Sequence, residues 1–186
     1  MAIVGVMGSG VDEWAALATP VGVLIANSHH DLLTGAGRGV MTSVARAFCS
    51  VPGRWGRSIG IVPTQEDGAG GFVALQGYPN PFVDLPILTP LPRKDPRSPP
   101  GTLTRNHVNV LSSDVLIALP GRAGTWDEIA LCLRFRKPLV CFGEAAAFAV
   151  DTPGLVTTTS LEDVAAFLSA HLAPRAPPIE PLHPHG

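Results

Sequence analysis

The stretch DVLIALPGRAGTWDEIALCLRFRKPLVCF, Asp114 to Phe142, constrains the fold more than any other part of the chain. Val115 to Leu119 are all apolar, with no polar residue alternating between them. A strand with one wet face alternates; a strand apolar throughout has both faces covered, the condition met inside a parallel sheet. A glycine-containing turn follows, then an amphipathic helix over Thr125–Arg136, then a second apolar strand over Pro138–Phe142. Parallel strands need such a crossover, and a helix is its usual form. The unit predicted here is therefore strand, helix, parallel strand.

The same alternation runs along the rest of the chain. AIVGVM (Ala2–Met7) is a short buried strand closed by Gly8-Ser9-Gly10. Asp12 is placed to cap a helix, and Pro20 to open a second helical piece reaching Asn27. DLLTG (Asp31–Gly35) reads as the second strand, and GAGRGVMTSVARAF as a turn into a helix. Val40, Val44, Ala47 and Phe48 share one face of that helix. SIGIVP (Ser58–Pro63) is a third strand and FVDLPILT (Phe82–Thr89) a fourth, which Pro86 assigns to an edge or a break. Thr89–Gly101 holds five prolines and three basic residues and reads as an irregular loop. Thr104–Ser113 is predicted helical, and Leu161–Leu172 a last helix capped by Ser160 with Asp163 at the capping-box position. Together these segments predict an α/β fold: a doubly wound, mostly parallel sheet with helices on both faces. One domain is expected over residues 1–173, followed by a proline-rich, disordered tail over 174–186.

Composition narrows the function classes. At 186 residues and 46% hydrophobic, the chain can bury one good core. A formal net charge of −2 gives no general attraction to nucleic acid or acidic membranes, so neither is expected as a partner. Only 15% of residues are charged, which leaves apolar surface for subunit contacts. Cys49, Cys132 and Cys141 form no C-x-x-C pair and read as buried, reduced thiols. No basic segment precedes the first apolar run, and no run approaches the ~20 residues a membrane span needs, so a cytoplasmic protein is expected.

In a doubly wound sheet, ligands bind beyond the carboxyl ends of the strands, where strand order reverses. Three turns lie at such positions: Gly8–Gly10, Gly35–Gly39 and Pro120–Thr125. Glycine there lets backbone approach a ligand, and the unpaired first amides of a helix attract phosphate. GAGRG is neither a G-x-G-x-x-G fingerprint nor a P-loop, since its last glycine comes early and no Lys-Ser or Lys-Thr follows. In PGRAGTWDEI, Thr125 can cap the helix or offer its hydroxyl to a phosphate. Glu128, three residues on, either folds back in a Thr-x-x-Glu capping box or stays free for a substrate. Upstream, Arg105 and Asn109 share a helical face, whereas His107 lies off it and reads as structural.

These residues carry a family resemblance. GAGRGVM, then Arg105-Asn106, then SSDVLIALPGRAGTWDEI resemble the LOG proteins, Rossmann-like phosphoribohydrolases of cytokinin-type nucleoside 5′-monophosphates. A close branch contains the molybdenum cofactor carrier proteins. The family pattern P-G-G-x-G-T-x-x-E is met by Pro120, Gly121, Gly124, Thr125 and Glu128, with Arg122 in place of its second glycine. Asn106 stands where the hydrolases have lysine, and the arginine–asparagine pair is usual in the carrier branch. In the first turn Gly35, Gly39 and Met41 align, while Thr34, Ala36 and Thr42 occupy glycine positions.

Two functions follow from the resemblance. As a hydrolase, the protein would cleave the N-glycosidic bond of a nucleoside 5′-monophosphate to free base and ribose 5-phosphate, with no cofactor and no metal. Glu128 would face the reacting carbon, Asp127 would point elsewhere, and Arg105 would hold the substrate or assist the departing base. The phosphate would rest on the amides of Gly121, Gly124 and Thr125, aided by Gly37 and Gly39. Gly8, Ser9, Gly35, Met41, Asn106 and Arg122 complete the expected ligand site, with Arg122 either clamping the phosphate or obstructing it. As a carrier, the protein would hold the molybdenum cofactor, a pterin phosphate, unchanged, and Glu128 would only cap its helix. The presence of both Arg105 and Glu128 favours the hydrolase. Arg93, Lys94 and Arg97 either cover an anionic ligand or form a solvated loop. The resemblance also implies a homodimer or higher homo-oligomer.

Overall fold

The computed structural model describes residues 2–95, 97, 99, 101–148 and 155–172. Its sheet is built from β1 (Ile3–Met7), β2 (Asp31–Thr34), β3 (Ser58–Glu66), β4 (Phe72–Ala74), β5 (Leu85–Thr89), β6 (Val115–Ala118), β7 (Leu139–Phe142) and β8 (Thr157–Thr158). Strand order is β4-β3-β2-β1-β6-β7-β8, with β5 also paired to β3. Every pairing is parallel except β3 with β4, where Thr64–Glu66 runs against Phe72–Ala74. The chain winds outward from β1 to β3 and β5, then returns to lay β6 beside β1. That reversal makes the β1/β6 boundary the switch point of a Rossmann-like fold.

Helices cover both faces. Val115, Ile117 and Leu119 of the central apolar run pack in one core with residues of α1 (Ala15–Asn27), α2 (Val40–Cys49) and α5 (Leu161–His171). Leu116 and Ala118 point the other way and pack with α3 (Arg105–Leu111) and α4 (Ala123–Arg134). Each successive side chain thus meets a helix, which is why the run carries no polar residue. The predicted face of α2 is realised, with Val40, Val44, Ala47 and Phe48 all buried.

Several boundaries differ from expectation. α1 is one helix and passes through Pro20, whose ring keeps a helical φ and forfeits one ladder bond. Asp12 does not cap it. The Asp12 carboxylate instead accepts from Ser9 Oγ at 2.9 Å, and Trp14, left-handed at φ 44°, precedes the helix. The fourth predicted strand, now β5, starts at Leu85 rather than Phe82, and Pro86 does lie at the sheet's edge. Ser160 caps α5 as read, accepting from the Asp163 amide. Strands β4 and β8 were not anticipated. The proline-rich tail lies outside the described residues. Cys132 and Cys141 are buried free thiols, each pushed up to about 12 chiefly by burial, whereas Cys49 is only half-buried. Among the described residues, no helix is long and apolar enough to cross a membrane.

Candidate functional site

A cleft of about 530 Å³ opens at the carboxyl ends of β1 and β6. Its walls are the turns that follow three adjacent strands, and those turns are stitched together. The Ser9 amide donates to the Pro120 carbonyl at 3.1 Å, and the Val40 amide donates to the Ser9 carbonyl at 2.9 Å. Two glycines make this possible. A Cβ on Gly39, whose φ is +63°, would strike the Ser9 carbonyl, and one on Gly121 would strike Thr125 Oγ1. Both glycines therefore serve the joining of the turns, behind the cleft wall. Gly37 packs against Met41 and Tyr78. The residues lining the cleft include Gly8, Ser9, Gly35, Met41, Asn106, Arg122, Gly124 and Thr125, but not Gly37, Gly39 or Gly121.

The first turn of α4 faces this space. Its helical bonding begins with the Trp126 amide donating to the Arg122 carbonyl, so the amides of residues 123–125 have no intrahelical acceptor. A Cβ on Gly124 would meet nothing within 4 Å. Arg122, the residue before the helix, has a side chain 79% exposed and 4.0 Å from Asp12. It stands at the rim and leaves the first turn open.

Thr125 is inside the helix, not at its cap, and the Thr-x-x-Glu capping box does not form. Ala123 and Gly124 accept helical geometry and move the helix start upstream. Glu128 is thereby released from the cap; its Oε1 accepts from Asn109 Nδ2 at 2.8 Å. A capping box occurs instead at Thr104–His107, where the Thr104 amide donates to His107 Nδ1 at 3.1 Å. His107 is thus structural, as the sequence suggests. Asp127 turns from the cleft, accepting from Asn106 Nδ2 at 2.9 Å and pairing with Lys94 Nζ at 3.1 Å. That pairing ties down the proline-rich loop, as does the Arg105 amide donating to the Pro92 carbonyl at 2.9 Å. Of the three basic residues in that loop, Arg93 lines the cleft, Lys94 holds Asp127, and Arg97 pairs with Asp95.

Glu128 and Arg105 form the buried polar part of the cleft. Burial pushes the Glu128 carboxyl up to about 7; the Asn109 bond and the Arg105 charge resist this, and Asp127 adds to it. Arg105 Nη1 donates to the carbonyls of Gly35 and Ile61, and its guanidinium lies 5.6 Å from the centre of the Tyr78 ring. Burial lowers its pKa. Two buried polar atoms beside this pair, Arg105 Nε and Asn109 Oδ1, have no protein partner. Such orphans are costly unless a ligand or water meets them.

The cleft also holds residues that sequence reasoning missed: Arg38 from the β2 turn, and Gln76, Gly77 and Tyr78 from the connection between β4 and β5. Tyr78 is the chain's single tyrosine, set in the turn sequence GYPNP, which was the one available hint.

The family model described as the SLOG cluster4 family matches residues 1–166. The chain belongs to that family. An uncharacterized protein from Archaeoglobus fulgidus is 32% identical over 136 residues, covering 72% of this chain and 75% of its own. Among solved structures, the molybdenum cofactor binding protein of Rippkaea orientalis superposes with a TM-score of 0.65 at 28% identity, covering 91% of this chain and 96% of its own. The molybdenum cofactor carrier protein of Chlamydomonas reinhardtii gives 0.65 at 27% identity, with 91% and 97% covered. The fold and the comparisons agree on a Rossmann-like scaffold.

Proposed function

We propose that this SLOG cluster4 protein binds a phosphate-bearing nucleotide or pterin in the switch-point cleft and cleaves the N-glycosidic bond of a nucleoside 5′-monophosphate. The observation that carries the proposal is Glu128, a buried carboxyl held near neutrality in the same cleft as Arg105 and the open first turn of α4. A group titrating close to the working pH both accepts and returns protons efficiently. The 5′-phosphate binds the free amides at Gly124 and Thr125, where the helix dipole favours an anion. The sugar then lies toward Glu128, whose carboxylate stabilises positive charge developing at C1′. The C1′–N bond breaks with its electrons passing to the base, and water oxygen bonds to C1′. The water proton passes to Glu128 and from it to the base nitrogen. Arg105, held by two backbone carbonyls, binds the ligand through its unpartnered Nε.

The second reading is a carrier, favoured by the names of the two solved relatives at 27% and 28% identity. On that reading the same amides hold a pterin phosphate and Glu128 performs no reaction. A panel of nucleoside 5′-monophosphates, assayed chromatographically for free base, separates the two. Base release that falls at least 100-fold in Glu128→Gln supports the hydrolase; no release, with a pterin co-purifying by mass spectrometry, supports the carrier. The protein is further proposed to form a homodimer or higher homo-oligomer, supported by the exposed Leu111 of α3 and Trp126 and Leu133 of α4. A solution mass equal to one chain refutes that assembly.

A further inference from the structure

The charge lining the cleft exceeds what one phosphate needs. Four guanidinium groups, Arg38, Arg93, Arg105 and Arg122, face one carboxylate, Glu128. Arg46 pairs with Glu13 at 3.3 Å, Arg54 with Asp84 at 2.9 Å and Arg97 with Asp95 at 3.0 Å, and at the rim Arg122 lies 4.0 Å from Asp12. Among the described residues, Arg38 and Arg93 have no such partner. Arg93 also lies near enough to Arg105 to disfavour its charge, so like charges have been gathered, not dispersed. Gathered cations with no counterion repel one another until an anion enters.

The cations also fall into two places. Strand order puts β2 and β6 on either side of β1. The backbone of Arg38, in the turn after β2, therefore stands two strand spacings, or about 10 Å, from the first turn of α4 after β6, and its guanidinium lies beside Gly77 of the β4–β5 connection. A phosphate bonded to the amides at Gly124 and Thr125 does not reach across that gap with hydrogen bonds of ordinary length. Arg38 flanks Gly77, in the same wall as Tyr78, and Arg93 enters from the proline-rich loop that Lys94 and Asp127 hold in place.

We infer that the cleft takes a ligand with two separated anionic groups, one on the first turn of α4 and a second, remote from it, between Arg38 and Arg93. The class is a phosphorylated sugar or nucleotide bearing a further anion at its far end. The inference rests on the phosphate-binding reading above. The further anion is either a second phosphate or an acidic group on the base.

Titration calorimetry on the full chain with two matched pairs tests it. Ribose 5-phosphate against ribose 1,5-bisphosphate adds a phosphate; uridine 5′-monophosphate against orotidine 5′-monophosphate adds a base carboxylate. At least one dianionic member is expected to bind ten-fold or more tightly than its counterpart, and the pair that shows the gain identifies the source. Arg38→Gln and Arg93→Gln, exposed positions where folding is checked by circular dichroism, each shrink that ratio toward one. Equal affinities within both pairs, or a ratio that survives both substitutions, overturn the second anion site and leave the phosphate reading standing. No binding by any of the four compounds overturns both.

Discussion

Glu128 bears a desolvation cost in its buried setting, and the sign of that cost is testable. Its folded pKa of about 7 lies above its ordinary value of 4.5, so the folded chain keeps a proton that the unfolded chain releases. Stability is therefore undiminished below pH 4.5, falls as pH rises from 4.5 to 7, and levels off above. The full penalty is on the order of 3 kcal/mol. Glu128→Gln removes the charge and keeps an acceptor for Asn109. It should raise the urea midpoint at pH 8 by an amount equivalent to about 2–3 kcal/mol, with the gain shrinking toward zero at pH 4.5. A gain independent of pH would show that the carboxyl is not buried as a charge. Asn109 acts on the same group: its Nδ2 donates to Glu128 Oε1 and thereby favours the carboxylate. Asn109→Ala should move the Glu128 titration, followed by carbon NMR of the side-chain carboxyl, above 7, and shift the lower limb of any pH–rate profile with it. An unmoved titration would remove Asn109 from the site's chemistry.

At the scale of elements, the site depends on turns being held closer than side chains allow. Gly39 combines a φ of +63° with a position against the Ser9 carbonyl. Gly39→Ala should cost about 1–3 kcal/mol in stability, since both strain and overpacking act there. It should also weaken phosphate binding, because the β1 and β2 turns must separate. Stability unchanged within ~0.5 kcal/mol would contradict the close approach. The same contrast between local and distant constraint explains what the sequence revealed. β6 and β7 were legible because burial on both faces writes itself as an unbroken apolar run, and β1, β2 and β3 because shorter apolar stretches end in glycine- or proline-marked turns. β4 and β8, three and two residues long, are too short to carry a period. Glu128 and Arg105 were found because a turn pattern and a helical spacing are local. The fate of Thr125-x-x-Glu128 was not, since a capping box and a free carboxyl read alike until Asn109 arrives from α3. Gln76 and Tyr78 reach the cleft through a distant connection, with the turn GYPNP as the one local hint, while Arg38 lies inside the Gly35–Gly39 turn but shows no pattern of its own.

At the scale of the whole molecule, folding assembles a cleft that is electrostatically incomplete, so anion binding and global stability are linked. A ligand at 100 times its dissociation constant stabilises the folded state by about 3 kcal/mol. In a chain of this size that corresponds to roughly 5–10 °C in melting temperature. Ribose 5-phosphate should produce such a shift at ionic strength matched with chloride, which controls for general screening. A substitution at one open position shows whether the shift arises at α4. A side chain at Gly124 meets nothing within 4 Å, and a carboxylate there lies in the first turn of the helix. Gly124→Asp should raise the melting temperature of the ligand-free protein, because it removes a helical glycine and places a negative charge at the positive end of the helix dipole, together worth about 0.5–1 kcal/mol. It should at the same time abolish most of the shift produced by ribose 5-phosphate, since the carboxylate occupies the ligand's place on the amides. Stabilisation with the shift intact would put the phosphate elsewhere in the cleft; loss of both would mean that α4 does not begin where Arg122 places it.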